Sequence, residues 1–250
     1  MISIRAVVFD TDGVLLDSAV LHAEAWKAAF DACLDAWASR GAQQRPFDAD
    51  REYRELVDGK PRFDGALAFL TARGLDLPRG TPDDLPGFDT VCAVAAYKER
   101  LFTEAIGVRA VAPFPEAAPV LNELRHKGIR CAAVSASRHA RALLKAARLD
   151  DLFDASVDGG DAARLALAGK PDPALFLEAA ARLGTAARST AVVEDAAAGV
   201  EAGSRGRFGL VVGIDRSPDG HMTDSLTARG ADLVLADLTS LPTVLRGYKP

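Results

Sequence analysis

Cysteine is scarce in this chain: Cys33, Cys92 and Cys131 are far apart, odd in number and set among apolar residues. That spacing offers no disulfide framework. The three read as reduced packing residues, which points to the cytoplasm. Histidine is scarce too, and the four present show no metal-ligand spacing, which argues against a zinc site. No apolar run approaches the roughly 20 residues needed to span a bilayer. Nor does either charge dominate. Lys+Arg total 30 against 35 Asp+Glu, a net charge of -5, which gives no global pull toward nucleic acid or an anionic membrane. The one local cluster of cations, Arg138, Arg141, Lys145 and Arg148, has the spacing of a solvated helix face. Repeats and low-complexity tracts are missing. The opening Met1-Ile2-Ser3-Ile4-Arg5 runs straight into an apolar stretch, so no signal peptide is expected.

What is present is an ordinary globular composition, 49% hydrophobic and 26% charged over 250 residues, enough for one large domain or two smaller ones. Ile4 to Phe9 is an apolar, β-branched run that predicts a buried strand. It ends in Asp10-Thr11-Asp12-Gly13, two acids flanking a threonine and then a glycine able to turn the chain. Carboxylates at the carboxyl end of a buried parallel strand stand where open α/β sheets place their chemistry. If strand geometry persists through Asp12, alternation puts Asp10 and Asp12 on one side. Two acids so close beside an apolar core repel unless a cation or a proton intervenes. The plainer reading of the same residues is a strand followed by an Asp-Gly turn.

Next, Asp17 or Ser18 predicts the start of a helix running toward about Arg40, with Trp26, Phe30, Cys33 and Trp37 as its apolar stripe. Short helical pieces such as Gly65 to Arg73, interrupted by glycines and prolines as far as Pro86, precede a further helix from about Phe88 to Ala105. No strand pattern occurs there, so residues 17–104 predict a small helical domain. The pattern then changes. Helices are expected at Pro115 to Lys127, His139 to Leu149 and Ala174 to Leu183. Strands are expected at Ile129 to Val134, Phe153 to Val157, Thr190 to Val193, Gly209 to Ile214 and Asp232 to Leu235. This alternation predicts an α/β fold with a doubly wound, Rossmann-like parallel sheet covered on both faces. Residues 1–16 and 105–250 form that core, and 17–104 form a helical cap inserted after the first strand.

Three later loops place polar groups beside buried strands or helix starts: Val134-Ser135-Ala136-Ser137-Arg138, Gly169-Lys170-Pro171-Asp172-Pro173 and Val193-Glu194-Asp195-Ala196. Each has a structural reading. Ser137 can cap a helix, Lys170 can be a surface lysine in a Pro-rich turn, and Glu194-Asp195 can be favourable charges at a helix start. Together with the first loop they supply four acids, a hydroxyl and a lysine, the inventory of phosphoryl transfer. Asp10, Glu194 and Asp195 are oxygen donors suited to Mg2+. Lys170 adds a positive charge, and Ser135 adds a hydrogen bond for phosphate oxygens. One aspartate can attack phosphorus and a second can exchange protons with the departing and attacking oxygens; Asp10 and Asp12 fit these roles.

On these residues the sequence resembles the haloacid dehalogenase superfamily of phosphohydrolases and mutases. The family's motifs occur in order over nearly the whole chain: FDTDGV at 9–14, Ser135 in VSAS, Lys170 in GKPDP, and Glu194-Asp195 in VVEDAAAG. The resemblance implies that Asp10 is the nucleophile, Asp12 the acid/base, and Ser135 and Lys170 phosphate ligands. It also implies Mg2+ held by Asp10, Asp195 and the main-chain carbonyl of Asp12, with Glu194 completing or tuning the metal shell. A narrower resemblance, to β-phosphoglucomutase-like members, rests on Asp17-Ser18, His22 and Trp26-Lys27, on Gly59-Lys60-Pro61-Arg62, on Ser135-Ala136-Ser137, and on Lys98. It implies that His22, Trp26, Lys98 and Ala136-Ser137 meet a sugar phosphate and that Arg62 grips its remote phosphate. His22 can equally be a packed histidine, and Arg62 and Lys98 plain surface cations. Glu99 stands where the subgroup usually has asparagine, and Ala38 to Asp50 is longer than in compact members.

The expected activity is therefore interconversion of β-glucose 1-phosphate and glucose 6-phosphate through a 1,6-bisphosphate, by a monomer or small homo-oligomer. The alternative is a Mg2+-dependent phosphatase of a sugar, polyol or cyclitol phosphate. A dehalogenase would need neither Asp12 nor Glu194-Asp195. A phospho-accepting receiver domain would be about half this length and would lack the insertion.

Overall fold

The first apolar run is strand β1 (Ala6–Asp10), and all five of its residues are buried. In the computed structural model, which describes residues 4–38, 44–217 and 219–247, it lies at the centre of one sheet. The other strands are β2 (Arg130–Val134), β3 (Ala155–Val157), β4 (Thr190–Glu194), β5 (Leu210–Ile214) and β6 (Leu233–Leu235). Their order across the sheet is β3-β2-β1-β4-β5-β6, and every pairing is parallel. The chain thus winds outward from β1 in one direction and then in the other. The connections after β1 and after β4 lead to opposite edges of the sheet, and such a switch point is the place where open α/β sheets form a crevice.

Register decides what reaches that crevice. Asp10 pairs with Val134, and Phe9 pairs with Val193, so Asp10, Ser135 and Glu194 come to the carboxyl edge on three adjacent strands. Alternation sorts the two faces of β1. Ala6 and Val8, with Ala132, Val134 and Val192, pack against Leu175, Phe176 and Ala179 of α7 (Ala174–Arg182) and Val200 and Ala202 of α8 (Ala197–Arg205). Phe9 meets Phe153 edge-on, with ring centroids 6.4 Å apart. Helix α4 (Ala117–His126) buries Ala117, Val120, Leu121 and Leu124, the stripe its sequence predicts, and Gly128 at φ 70° follows its end. The core is completed by α5 (Ala140–Ala146), α6 (Gly159–Leu165), α9 (Thr223–Ala228) and α10 (Leu241–Gly247). The expected helix from His139 to Leu149 is shorter, because Arg148 adopts a left-handed φ of 56° and turns the chain.

The chain forms two compact units, one of Met1–Asp17 with Ala112–Pro250 and one of Ser18–Val111. The change expected at 104/105 falls inside α3 (Val91–Val108), which continues three residues past the expected end at Ala105. The second unit also holds α1 (Ala19–Ala38), α2 (Arg62–Ala72) and a π-helical turn at Tyr53–Val57, with no strand among its described residues. Its core is aromatic: Phe30 stacks on Phe69 at 3.9 Å and on Trp26 at 4.7 Å. Of the long segment from Ala38 to Asp50, residues 39–43, with Arg40 among them, lie outside the described residues, as do Met1 to Ser3. The rest of that segment is tied down by Arg73, whose guanidinium pairs with buried Glu52 at 2.7 Å and donates to the Arg45 carbonyl at 2.9 Å. Cys33, Cys92 and Cys131 are buried free thiols. Among the described residues no helix is long and apolar enough to cross a membrane.

Candidate active site

Three charged side chains from three elements meet at the carboxyl edge of the sheet. Asp10 ends β1, Glu194 ends β4, and Lys170 lies in the loop before α7. The Lys170 ammonium donates to Asp10 Oδ1 and to Glu194 Oε1, and all three side chains are at least nine-tenths buried. Lys170 is therefore no surface lysine. Its Nζ also lies 4.9 Å from the centroid of the Phe176 ring. Burial pushes the Asp10 carboxyl well above its ordinary range; Lys170 opposes this, and Glu194 and Asp12 add to it. Burial alone would lower Lys170, but Asp10 and Glu194 outweigh it and hold the ammonium protonated. One ammonium thus bridges two carboxyl groups, with Asp12 acting on Asp10 as well, and the acids of the site outnumber the cation.

Strand geometry stops at Asp10, so a loop and not strand alternation brings Asp12 near it. Thr11 between them is fully buried and donates its hydroxyl to the Val134 carbonyl at 3.0 Å. Asp12 Oδ2 accepts from Ser135 Oγ at 2.9 Å, and Ser135 Oγ accepts from the Ser137 N–H at 3.0 Å. Ser137 Oγ in turn accepts from the His139 N–H at 3.2 Å, so it organises the turn into α5 as well as lining the loop. The loop is backed by Gly159, whose N–H donates to the Ser137 carbonyl at 3.1 Å; a Cβ there would come within 2.5 Å of the Ala136 oxygen. Asp161, behind it, accepts from Arg141, Arg164 and Arg182; the hydrogen bond from Arg182 above all, then that from Arg164 and the charge of Arg141, hold its carboxyl far below the usual range. Arg141, exposed as its helix spacing predicts, is nevertheless engaged there.

Two glycines make room for the acids of the last loop. Gly13, at φ +79°, lies against Asp195: a Cβ would stand 1.8 Å from its Oδ2. Gly199, in the first turns of α8, lies against Glu194, where a Cβ would stand 1.7 Å from Oε1. Glu194 is also the hydrogen-bond acceptor at the α8 start, taking the Ala196 N–H on Oε2 at 2.7 Å. Gly199 escaped the sequence reading, although a glycine inside a helical stretch is itself a signal of close packing. Alanine is the better helix former by about 1 kcal/mol. Even so, Gly199→Ala should destabilise the protein by about 2–4 kcal/mol, because Glu194 cannot move without leaving Lys170. Urea denaturation checks this, and a stabilised variant would contradict it.

Among the described residues no group of three or more His, Cys, Asp or Glu side chains is arranged to hold a metal ion alone. Mg2+ does not require one: it commonly takes one or two carboxylates and fills its octahedron with water and phosphate oxygens. The excess of carboxylates around Asp10 and the room that Gly13 leaves for Asp195 fit such an ion.

In the second unit, α1 and α3 bring His22, Trp26 and Lys98 together. Lys98 is 3% exposed, and its Nζ lies 2.9 Å from His22 Nδ1, 4.5 Å from the Phe102 centroid and 5.4 Å from the Trp26 ring. If Lys98 is an ammonium it can only donate, which makes Nδ1 the acceptor and assigns the Nε2–H tautomer to His22. His22 also stacks on Phe102 at 4.0 Å. Arg62 is the first residue of α2, with its guanidinium 4.5 Å over the Phe63 ring. Lys27, next to Trp26, is spent inside the unit on Asp31 and the Phe47 carbonyl, at 2.8 and 3.0 Å.

A doubly wound sheet that gathers carboxylates, a hydroxyl and a buried lysine at its carboxyl edge belongs to an enzyme of phosphoryl transfer or phosphate hydrolysis. A family model described as haloacid dehalogenase-like hydrolase matches residues 4–206, and the chain belongs to this family, within its β-phosphoglucomutase-like subgroup. It is 39% identical over 239 residues to a β-phosphoglucomutase of Mycobacterium bovis, covering 95% of this chain and 91% of the relative. It is 34% identical to part of an uncharacterized glycosyl hydrolase of Mycobacterium tuberculosis, covering 94% of this chain but 17% of that protein. Among solved structures, a putative β-phosphoglucomutase from Bacteroides vulgatus shares the fold, with a TM-score of 0.73, 22% identity, and coverage of 98% of this chain and 89% of that one.

Proposed function

We propose that this enzyme interconverts β-glucose 1-phosphate and glucose 6-phosphate through β-glucose 1,6-bisphosphate. The observation that carries the reading is the 39% identity to a β-phosphoglucomutase over 95% of the chain, which takes in the second unit as well as the sheet. In this reading an Asp10 carboxylate oxygen attacks phosphorus while the bond from phosphorus to the sugar oxygen breaks. Asp12 gives that oxygen a proton and later takes one from the sugar hydroxyl that accepts the phosphoryl group. Lys170 and Ser135 hold phosphate oxygens, and Ala136 and Ser137 line the approach. Lys170 also orients Asp10, since its ammonium bridges that carboxylate and Glu194. Asp10, Asp195 and the Asp12 carbonyl would hold Mg2+, with Glu194 behind them, and the ion would neutralise charge on the transferring phosphoryl group.

The second unit supplies recognition. His22, Trp26 and Lys98 form one cluster whose ammonium suits a sugar phosphate and whose indole suits the sugar's apolar face. Arg62 would hold the remote phosphate of the bisphosphate, a need that a phosphatase of monophosphates lacks. We place the reaction in the cytoplasm, on the strength of three buried free thiols. A phosphorus NMR time course with Mg2+, β-glucose 1-phosphate and a trace of 1,6-bisphosphate tests the proposal. Conversion to glucose 6-phosphate with little inorganic phosphate is expected. Release of inorganic phosphate as the main product would replace the mutase with a sugar-phosphate phosphatase.

A further inference from the structure

Arg216 follows the carboxyl end of β5 by two residues and has no part in the reading above. Its guanidinium nevertheless reaches the loop that carries Asp12. Nε donates to the Gly13 carbonyl at 2.9 Å and Nη2 to the Val14 carbonyl at 3.0 Å. Nη2 also lies 2.8 Å from Glu116 Oε1, and the guanidinium carbon lies 3.5 Å from the centroid of the Phe114 ring. One side chain, 24% exposed, therefore grips two segments: the loop that leaves the nucleophile strand, and the segment by which the chain returns to the sheet.

Those segments are already paired. The Phe114 N–H donates to the Leu15 carbonyl at 2.9 Å, and the Asp17 N–H to the Ala112 carbonyl at 3.0 Å. The loop closes on itself through the Leu15 and Leu16 N–H groups on the Thr11 carbonyl, at 3.0 Å each, and the Gly13 N–H on the Leu16 carbonyl at 2.9 Å. The Gly13 and Val14 carbonyls of this loop accept from Arg216 instead of from the loop itself. A guanidinium can serve both carbonyls in one planar fork while its charge faces Glu116, whereas an ammonium is a point donor without that geometry.

We propose that Arg216 is a positioning residue for the acid/base step. By fixing the Gly13 and Val14 carbonyls to the return segment, it holds the Asp12 carboxyl on the Ser135 side, where it meets the departing oxygen. The inference rests on the reading of Asp12 as acid/base. In the step concerned, the bond from Asp10 oxygen to phosphorus forms and the bond from phosphorus to the sugar oxygen breaks. That oxygen keeps the electron pair and takes the proton from Asp12. A leaving group stable as an anion needs no such proton, and this separates positioning of Asp12 from general support of the fold.

The test compares single-turnover release of the leaving group from β-glucose 1-phosphate and from 2,4-dinitrophenyl phosphate. The enzymes are wild type, Arg216→Gln, Arg216→Lys and Asp12→Ala. General acid catalysis is typically worth 10²–10⁴-fold, so Arg216→Gln should lose about 30-fold or more on the sugar phosphate and about 3-fold or less on the aryl ester. Arg216→Lys should recover thermal stability without recovering the sugar-phosphate rate; it carries the test by itself if the Gln variant does not fold. Equal losses on both substrates, or full recovery of rate by lysine, would overturn the role of Arg216. If Asp12→Ala shows the selective loss and the Arg216 variants do not, the inference fails alone. If Asp12→Ala shows no selectivity, the acid/base reading fails and the inference falls with it.

Discussion

Replacing Asp10 by asparagine should abolish turnover, with a loss on the order of 10⁴-fold or more, the scale seen when a covalent nucleophile is removed. The carboxamide keeps the shape of the side chain, and its oxygen can still accept from Lys170. It cannot form the bond to phosphorus. The fold should survive, because Lys170 retains Glu194 as a buried counter-ion and the carboxyl replaced is one that burial already disfavours in its charged form. Steady-state turnover on a sugar phosphate, with acid quenching to look for phosphorylated protein, checks the expectation. Near-normal turnover by the variant would remove Asp10 from the mechanism.

The second large effect concerns stability. Lys170→Met leaves Asp10 and Glu194 facing each other without their shared cation, nearly wholly out of water. Breaking a buried pair in this way typically costs about 3–5 kcal/mol, most of it from charge left uncompensated. The deficit should depend on pH with a defined sign. Burial, with Glu194 and Asp12 behind it, already raises Asp10, and Lys170 is what opposes them. Without Lys170 the folded chain keeps a proton that the unfolded chain releases near pH 4. Between that point and the raised folded value the folded state binds more protons, so stability falls as pH rises. The deficit relative to wild type should therefore be larger at pH 7.5 than near pH 4. Urea denaturation of both proteins without divalent cations measures it. A deficit that is absent at pH 7.5, or that does not shrink on acidification, would show that Asp10 and Glu194 are not electrostatically dependent on Lys170. The same variant should lose most of its activity, since Lys170 bridges Asp10 and Glu194 and, in the proposed reading, also holds phosphate.

What local chemistry determines was legible without coordinates. Buried parallel strands are near-continuous apolar runs, so β1, β2, β4 and β5 stand out of the sequence, and the polar residues that end them mark the carboxyl edge. The shorter outer strands β3 and β6 were legible too, with boundaries two residues and one residue tight of expectation. The family motifs are the source of the roles proposed for these residues. The helical nature of residues between the first and second strands followed from the lack of any period-two pattern.

Partner choice was not legible, because it depends on register between segments far apart in the chain. Lys170 could be read as a surface residue until β1 and β4 lay side by side, one carrying Asp10 and the other Glu194. The His22–Lys98 contact spans 76 positions and arises only when α1 packs on α3. Gly13 and Gly199 look like ordinary turn and helix glycines until the carboxylates of Asp195 and Glu194 occupy the space their side chains would need. Arg216 is one cation among many until β5 places it beside the Asp12 loop and the return segment together. The sequence by itself determined which residue types stand at the strand ends, since hydrophobic periodicity and turn chemistry act over a few residues. Only the tertiary structure decided which of those groups neutralise, orient and make room for one another, because Coulomb forces and close packing act through space between residues that the chain keeps far apart.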